Sequence, residues 1–531
     1  MTRTLTRRIE SIRELQLQGS LTHMQRGLEK ESLRIASDGL IAQTPHPAAL
    51  GSALTHPSIT TDYSEALMEF ITPVYDSPEA ALNYLDKVHR FTYQHLNNET
   101  LWVNSMPCIM STELGIPIAE YGTSNVGQMK HVYRHGLWHR YGRYMQTIAG
   151  LHYNISLPDA FWSTYQSIEQ SPLPQQDFIS EQYFGLIRNF QRNVGLLVYL
   201  FGASPAVCGS FLQGKSHPLL KTWQDHTRYL PYGTSLRMSD LGYQNDAQAS
   251  LNVSYNSLPE YVTSLQHAIR TPHPPYEKIG VRKNGIYQQL NTNILQIENE
   301  FYSSIRPKRV AASGERPTCA LASRGVEYIE LRCIDLDPFT PGGISEEQIR
   351  VLDVFTLYCL LQDSPSVEEP EHQRNLINLQ AIVTEGRNPD LQLATASSQI
   401  PFSDWAQEHL TQMQNIAQLL DQAHQNTLHS KAVKAQFSKV KHPESTPSGR
   451  ILNQLFEKKQ SFFEFAMDCA EQQAAFYQNT PLSEADLTEF TQTAQQSLED
   501  QSAIEASDTV SFERYLDAYF KPDACLINIV D

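Results

Sequence analysis

Positive charge is in short supply. Against 58 acidic residues the chain of 531 carries 41 lysines and arginines, a net charge of −17. A surface of that sign does not neutralise phosphates, which excludes general binding to nucleic acid or to anionic membrane and leaves room only for a local basic pocket. Cysteine is sparse and scattered. The seven (Cys108, Cys208, Cys319, Cys333, Cys359, Cys469, Cys525) contain no Cys-x-x-Cys pair. That speaks against a zinc site or a disulfide framework and fits reduced thiols in the cytoplasm. Arg3, Arg7 and Arg8 are followed by polar residues rather than the apolar core of a signal peptide. The longest hydrophobic run, Val194 to Leu212, is broken by Gly202, Pro205 and Gly209, so it reads as a buried helix ending near Gly202 and not as a membrane span. Internal repeats, low-complexity tracts, a dinucleotide fingerprint, a Gly-x-Ser-x-Gly elbow and a His-Glu-x-x-His helix are all absent.

What is present is a set of short stretches that alternate as strands do, with acids or a histidine on one face. In Gly27-Leu28-Glu29-Lys30-Glu31-Ser32, residues two apart point the same way, so Glu29 and Glu31 project together. Paired carboxylates repel unless a cation lies between them, and hard divalent cations favour such oxygen donors. In Val326 to Cys333, Ile329, Leu331 and Cys333 share one face, while Tyr328, Glu330 and Arg332 share the other. Glu330 with Arg332 reads equally as a surface ion pair or as a metal ligand beside a phosphate clamp. His152, Asn154 and Ser156 converge opposite Tyr153, Ile155 and Leu157. Leu295 to Tyr302 alternates again, with Glu298, Glu300 and Tyr302 on its polar face, and Arg306-Pro307-Lys308-Arg309 follows as a candidate phosphate-binding loop. Glu69 sits within the apolar run Leu67 to Ile71, where a buried acid needs a partner. Arg237, Tyr133, Leu137, Gln146 and Tyr243 lie in segments that suit a substrate pocket. Gly209 to Ser216 matches the P-loop pattern literally. Pro205 upstream leaves little room for the strand that the motif requires, and His217-Pro218 downstream suits a turn at least as well as the required helix.

From Ser345 onward the pattern turns helical. Ser345-Glu346-Glu347 caps a helix with Ile349, Leu352 and Phe355 at helical spacing, 441–450 reads as a loop, Ile451 opens a second amphipathic helix, and the acidic tail from Ser483 reads as a solvated helix. The expected organisation is a catalytic core over 1–344 with a mostly helical layer over 345–531, packed together as one unit.

Gln25 to Glu31, Gly51 to His56, Thr60 to Tyr63, Glu69 to Pro73, Tyr121 to Asn125, Gly150 to Asn154, Leu200 to Ala206, Leu295 to Tyr302 and Gly325 to Arg332 together closely resemble the bacterial glutamate–cysteine ligase (gamma-glutamylcysteine synthetase) family. The resemblance runs in register from about Leu21 to Pro341 and is much weaker beyond Ser345. It implies an α+β fold like that of glutamine synthetase, a curved antiparallel sheet forming a funnel with helices outside. It implies that ATP, L-glutamate and L-cysteine give gamma-glutamylcysteine, ADP and phosphate through a gamma-glutamyl phosphate, the first step of glutathione synthesis. By the same resemblance Glu29, Glu31, Glu69, His152 and Glu330 hold Mg2+, or Mn2+ in its place. Arg332 clamps the transferred phosphate, and Arg237 pairs with the glutamate alpha-carboxylate. Tyr63, Tyr133, Leu137, Gln146, Ile148, Tyr243 and Tyr302 shape the cysteine pocket. Asp62, Glu298 and Arg306 are secondary candidates. The position of Tyr63 is often Phe in the family, and its hydroxyl changes that wall.

Neither nucleic acid nor membrane is expected as a partner, and a monomer is compatible with the sequence. Three other readings stay open at this level: a carboxylate–amine ligase with a different acceptor amine, a sensor that binds nucleotide or amino acid without turnover, and a P-loop NTPase using Lys215 and Ser216. A clamp aimed at a transition state is needless in a sensor.

Overall fold

The computed structural model describes residues 3–214, 216–224, 226–242, 251–312 and 314–521. Its centre is a seven-stranded sheet made of β1 (Gln25–Ala36), β2 (Ile59–Thr61), β3 (Leu67–Ile71), β4 (Glu99–Leu101), β5 (Leu151–Ser156), β6 (Ile305–Lys308) and β7 (Tyr328–Ile334). The order is β6-β7-β5-β1-β3-β2, with β4 on β1. Every pairing is antiparallel, and the sheet does not close into a barrel.

The period of two decides what each face carries. On β1, Leu28, Lys30, Ser32 and Arg34 are buried on the face opposite Glu29 and Glu31. Helices cover that outer face: α1 (Pro78–His95), α3 (Gln175–Phe201) and α4 (Glu346–Leu361). Another helix, α2 (Asn125–Tyr141), walls the inner side. One buried polar knot ties the outer face to α4. Arg26 donates from Nε and Nη2 to Asp353 at 3.3 and 3.2 Å, and the Tyr153 hydroxyl donates to the same carboxylate. All three groups are buried. A guanidinium and a carboxylate removed from water hold together only when paired in this way.

The hydrophobic run ends where glycine and proline predict. α3 stops at Phe201, and Gly202 caps it by donating its N–H to the Val198 carbonyl. Among the described residues no helix is long and apolar enough to cross a membrane. The P-loop look-alike has a three-residue strand, Ala206–Cys208, before Gly209, then a 3-10 turn, Gly209–Leu212. Among the described residues no helix follows before the next strand at Lys221, and Lys215 lies outside them.

The helical C-terminal part comprises, among other elements, α5 (Phe402–His424), α6 (Leu428–Lys441), α7 (Phe462–Gln478), α8 (Glu484–Ser507) and α9 (Phe512–Tyr519). The Ser345 cap forms as expected, its side chain accepting from the Gln348 N–H. Residues 441–450 are less loop-like than their prolines imply. Thr446 caps a helix that starts at Pro447, where a proline at the first helical position leaves no needed donor missing.

The thiols need one correction. Cys108, Cys208, Cys333, Cys359 and Cys469 are free and buried, but Cys319 is disulfide-bonded.

Candidate active site

Register builds the site. Pairing of β1 with β5 sets Glu29 opposite His152, and pairing of β1 with β3 sets Glu31 opposite Glu69. β7 on β5 sets Glu330 opposite Asn154, and β6 on β7 sets Arg306 opposite Glu330. Five strands thus deliver their polar residues to one patch. The donor atoms of Glu29, His152 and Glu330 all lie within 4.8 Å of one another. His152 Nδ1 is 3.1 Å from Glu29 Oε2 and 3.7 Å from Glu330 Oε1, and its Nε2 is 3.9 Å from Glu31 Oε1. Asn154 Nδ2 donates to Glu29 Oε1 at 2.8 Å, which fixes the carboxylate plane. The Gly150 N–H donates to Glu31 Oε2 at 2.6 Å.

Cations stand on one side of this patch. Lys308 Nζ is 3.2 Å from Glu330 Oε1, and Arg332 Nη1 is 3.2 Å from Glu330 Oε2. Burial opposes ionisation of Glu330, yet Lys308, Arg332 and His152 together hold its carboxyl well below the usual carboxylate range. Burial likewise opposes ionisation of Glu29, and the His152 hydrogen bond brings it below its ordinary value. Glu31 and Glu69 go the other way. Burial and the nearby Asp62 push Glu31 up to about 8. Burial and the charges of Glu29, Asp62 and Glu31 push Glu69 well above the carboxylate range. Burial and the Arg332 charge lower His152, which favours the neutral imidazole that a metal requires. Four strands therefore present a set of oxygen donors and a neutral nitrogen, and without a cation they stay charged only in part.

The patch floors a cavity of about 490 Å3. Tyr63, Tyr133, Leu137, Gln146 and Tyr302 line it, as do Asp62, Arg306 and Arg332. Other expected residues fall differently. Ile148 is fully buried and outside the lining. Arg237 is buried to 1 % exposure and faces a second, adjoining cavity of about 240 Å3 that shares Tyr302 with the first. Tyr243 lies outside the described residues. Glu298 turns away to receive Arg316 Nε at 3.0 Å and the Thr318 hydroxyl at 2.7 Å. The stretch 295–302 is not a strand: Glu298–Glu300 is a 3-10 turn, so its acids do not share a face. Glu300 reaches the cavity but is tied to Arg140 at 3.0 Å. The basic run is a strand through Lys308 rather than a loop. Arg306 and Lys308 face the cavity, while Arg309 donates to the Arg324 and Gly325 carbonyls.

Arg237 is held by its surroundings. Its Nη2 donates to the Arg332 carbonyl at 2.7 Å, and Nη1 lies 3.9 Å from Asp335 Oδ1. Asp335 is itself fixed by the Ala203 N–H and the Ser204 and Ser235 hydroxyls at 2.8, 2.6 and 3.0 Å. Sequence reading missed Asp335, although its place just after β7, beyond Arg332 on the chain, was a usable signal. Reading by strand period also missed Met129, Lys130 and Tyr141. Met129, Tyr133, Leu137 and Tyr141 reach the cavity at four-residue steps along one stripe of α2, with Lys130 beside them.

A family model described as glutamate-cysteine ligase matches residues 9–382. The chain belongs to the glutamate–cysteine ligase family. A glutamate–cysteine ligase from Alcanivorax borkumensis is 54% identical over 521 residues, covering 97% of this chain and 99% of that protein. One from Pseudomonas fluorescens Pf-5 is 48% identical with 97% of each chain covered. The crystal structure of the Francisella tularensis enzyme in complex with AMP superposes with a TM-score of 0.89 at 35% identity, over 95% of this chain and 99% of that one. A bifunctional glutathione synthetase from Pasteurella multocida matches with a TM-score of 0.71 at 26% identity, over 88% of this chain but only 54% of that one. Family membership carries ATP-dependent formation of gamma-glutamylcysteine, the first step of glutathione biosynthesis. The relatives also extend the similarity past Ser345, where the sequence motifs fade, across nearly the whole chain.

Proposed function

We propose that this cavity carries the ligase reaction as follows. Glu29, Glu31, Glu69, His152 and Glu330 hold divalent cations, Mg2+ in the first place, and Lys308, Arg306 and Arg332 engage the ATP phosphates. The carrying observation is the convergence of the Glu29, His152 and Glu330 donors within 4.8 Å beside two cations that reach Glu330. Hard oxygen donors with one neutral imidazole suit such a metal, which when bound neutralises phosphate charge and orients the chain of phosphates.

The gamma-carboxylate of glutamate is a poor electrophile until it is phosphorylated. Arg237, buried and held by Asp335, pairs with the glutamate alpha-carboxylate and so aims the gamma-carboxylate at the terminal phosphate. Arg332 meets the charge on the transferred group with its planar fork. The gamma-glutamyl phosphate then loses phosphate to the cysteine amine. Tyr63, Tyr133, Leu137, Gln146 and Tyr302 offer the half-apolar wall that a thiol side chain favours. No protein nucleophile is needed, because positioning and charge neutralisation account for phosphoryl transfer. The cytoplasm is the proposed compartment, supported by the free buried thiols; the bonded Cys319 weighs on the other side.

The test is ADP release by the purified chain with Mg2+-ATP and L-glutamate, with and without L-cysteine, the product being followed by mass. Release that needs both amino acids, with gamma-glutamylcysteine formed, supports the reading. Release only with another amine would change the acceptor, and binding without turnover would make the protein a sensor.

A further inference from the structure

A third cavity, of about 180 Å3, shares no lining residue with the active-site cavity. Its walls are α3, the helix Glu369–Glu385, the strand pair Gln392–Ala394 and Gln399–Pro401, and the start of α5. The Asn378 side chain clamps the strand pair to the helix, donating to the Ala394 carbonyl and accepting from the Ala394 N–H, both at 2.9 Å. In a chain of net charge −17, two arginines and no carboxylate line this cavity. Arg192 is engaged: its Nε is 2.6 Å from Glu371 Oε1, and Nη2 donates to the Pro365 carbonyl at 2.9 Å. Arg374 is half-buried and has no carboxylate partner among the described residues. Gln191 and Asn375 add side-chain amides. Leu379, Ile382, Leu393, Ile400 and the half-buried ring of Trp405 supply apolar surface.

That lining selects its ligand. A guanidinium with no acid to answer it takes an anion, and its planar fork matches a carboxylate. Aliphatic and aromatic walls take an apolar body. An amino acid does not fit, because its ammonium would enter a cavity that offers it two cations and no carboxylate. The site is thereby set apart from the amino acids of the ligase reaction. We infer that this cavity binds a small monocarboxylate with an apolar body, and that the bound ligand acts on Arg237 through the helix Glu369–Glu385.

The helix joins the two regions physically. Its Asn375 and Leu379 line this cavity and also the one that Arg237 faces, as do Gln191 and Val194 of α3. Ile382 lines the third cavity, and its carbonyl accepts from the buried Thr234 hydroxyl at 3.0 Å. The Thr234 N–H donates to the Val383 carbonyl at 2.9 Å, and Gln380 Nε2 donates to the Met238 carbonyl at 3.4 Å. The segment 234–238, which carries Arg237, is thus tied to this helix on both sides of the arginine. A ligand that shifts the helix shifts the arginine with it. The link to glutamate rests on the placement of its alpha-carboxylate proposed above; the anion site does not.

The experiment uses the full chain and calorimetry, with benzoate as the probe and two controls: benzamide, its uncharged counterpart, and acetate, which lacks the ring. Benzoate should bind saturably and both controls more weakly. Arg374→Ala should weaken benzoate roughly 10- to 100-fold, and a melting curve shows whether the variant is folded. No saturable binding, equal binding by folded Arg374→Ala, or benzamide or acetate binding as tightly as benzoate would overturn the site. Saturating benzoate should change glutamate affinity about fivefold or more in the natural chain and not in Arg374→Ala. By linkage, glutamate should change benzoate affinity by the same factor. Benzoate held by Arg374 with glutamate affinity unmoved would overturn the action on Arg237 and leave the site. Glutamate affinity unmoved in Arg237→Ala would instead refute the placement of the alpha-carboxylate.

Discussion

Glu31 stands directly opposite Glu69 across the antiparallel pair of β1 and β3. Glu31 is buried and Glu69 half-buried in a cavity whose nearest charges include Asp62, and both hold their protons more tightly than ordinary carboxylates, Glu31 up to about 8. A divalent cation requires both as anions, so its binding must expel protons. Below about pH 8 Glu31 is mostly protonated in the metal-free protein, so affinity should climb as pH rises through that value and fall as it drops. Calorimetry in two buffers of different ionisation enthalpy should show release of roughly one to two protons per binding event near pH 7. Glu31→Gln should reduce that number. Binding without any proton release would remove these two residues from the ligand set.

Arg332 offers a second test, of geometry rather than charge. Its guanidinium lies 3.2 Å from Glu330 with the side chain 18% exposed, open to the cavity. Lysine at this position keeps the charge and loses the fork. Arg332→Lys should lower kcat by about 100-fold or more, with ATP affinity changed by less than about tenfold, because the lost contact strengthens only in the transition state. A lysine variant with normal kcat would mean that Arg332 acts as a simple counter-charge.

Lys30 sits between the two acids on β1 but points the other way, 2% exposed. Its Nζ donates to His89 Nε2 at 2.8 Å, and His89 is kept neutral by burial and by that lysine. Burial lowers Lys30 from 10.5 to about 7. Between those values the unfolded chain binds more protons than the folded one, so the contribution of Lys30 to stability improves as pH rises from 7 toward 10.5, and the full penalty stands below 7. The penalty is on the order of a few kcal/mol, larger than the roughly 1 kcal/mol lost when His89 loses its partner. Lys30→Met should therefore be more stable than the natural chain at pH 6, and the difference should shrink by pH 9 in chemical denaturation. A constant difference across that range would show that Lys30 is charged at all these pH values.

How much of this was legible beforehand follows from the physics of each element. β1, β3, β5 and β7 declared themselves because one face is polar and the other apolar, and period two is visible in any such strand. Their partners were not visible, since register depends on pairing between segments more than a hundred residues apart, such as Glu29 with His152. Leu295 to Tyr302 alternated in sequence for a different reason. Its acids answer Arg316 and Arg140 from a 3-10 turn, and alternation alone cannot tell that from a strand. Tyr515 and Tyr519, which line the cavity from α9, were hidden because a short amphipathic helix in an acidic tail looks the same whether it is solvated or docked. The Arg237 pocket was half legible: the arginine stood out, whereas Asp335, which fixes it, needed the fold.

That pocket gives the last prediction. Gly150 ends the approach to β5, and its N–H serves Glu31. A Cβ built there would lie 2.1 Å from Arg237 Nη2, far inside any real contact, so the guanidinium would have to move. It cannot move freely, because Nη2 is engaged with the Arg332 carbonyl and Nη1 faces Asp335. Overpacking of this kind typically costs about 1–3 kcal/mol. Its chemical effect should exceed its structural one, since a shift of about 1 Å in a positioning arginine can cost about 100-fold. Gly150→Ala should raise the KM for glutamate at least tenfold while nucleotide affinity and the KM for cysteine stay near their natural values. Asp335→Asn, which loosens the same arginine without crowding it, should move the glutamate KM in the same direction. If both variants bind glutamate normally, Arg237 is not the residue that receives its alpha-carboxylate.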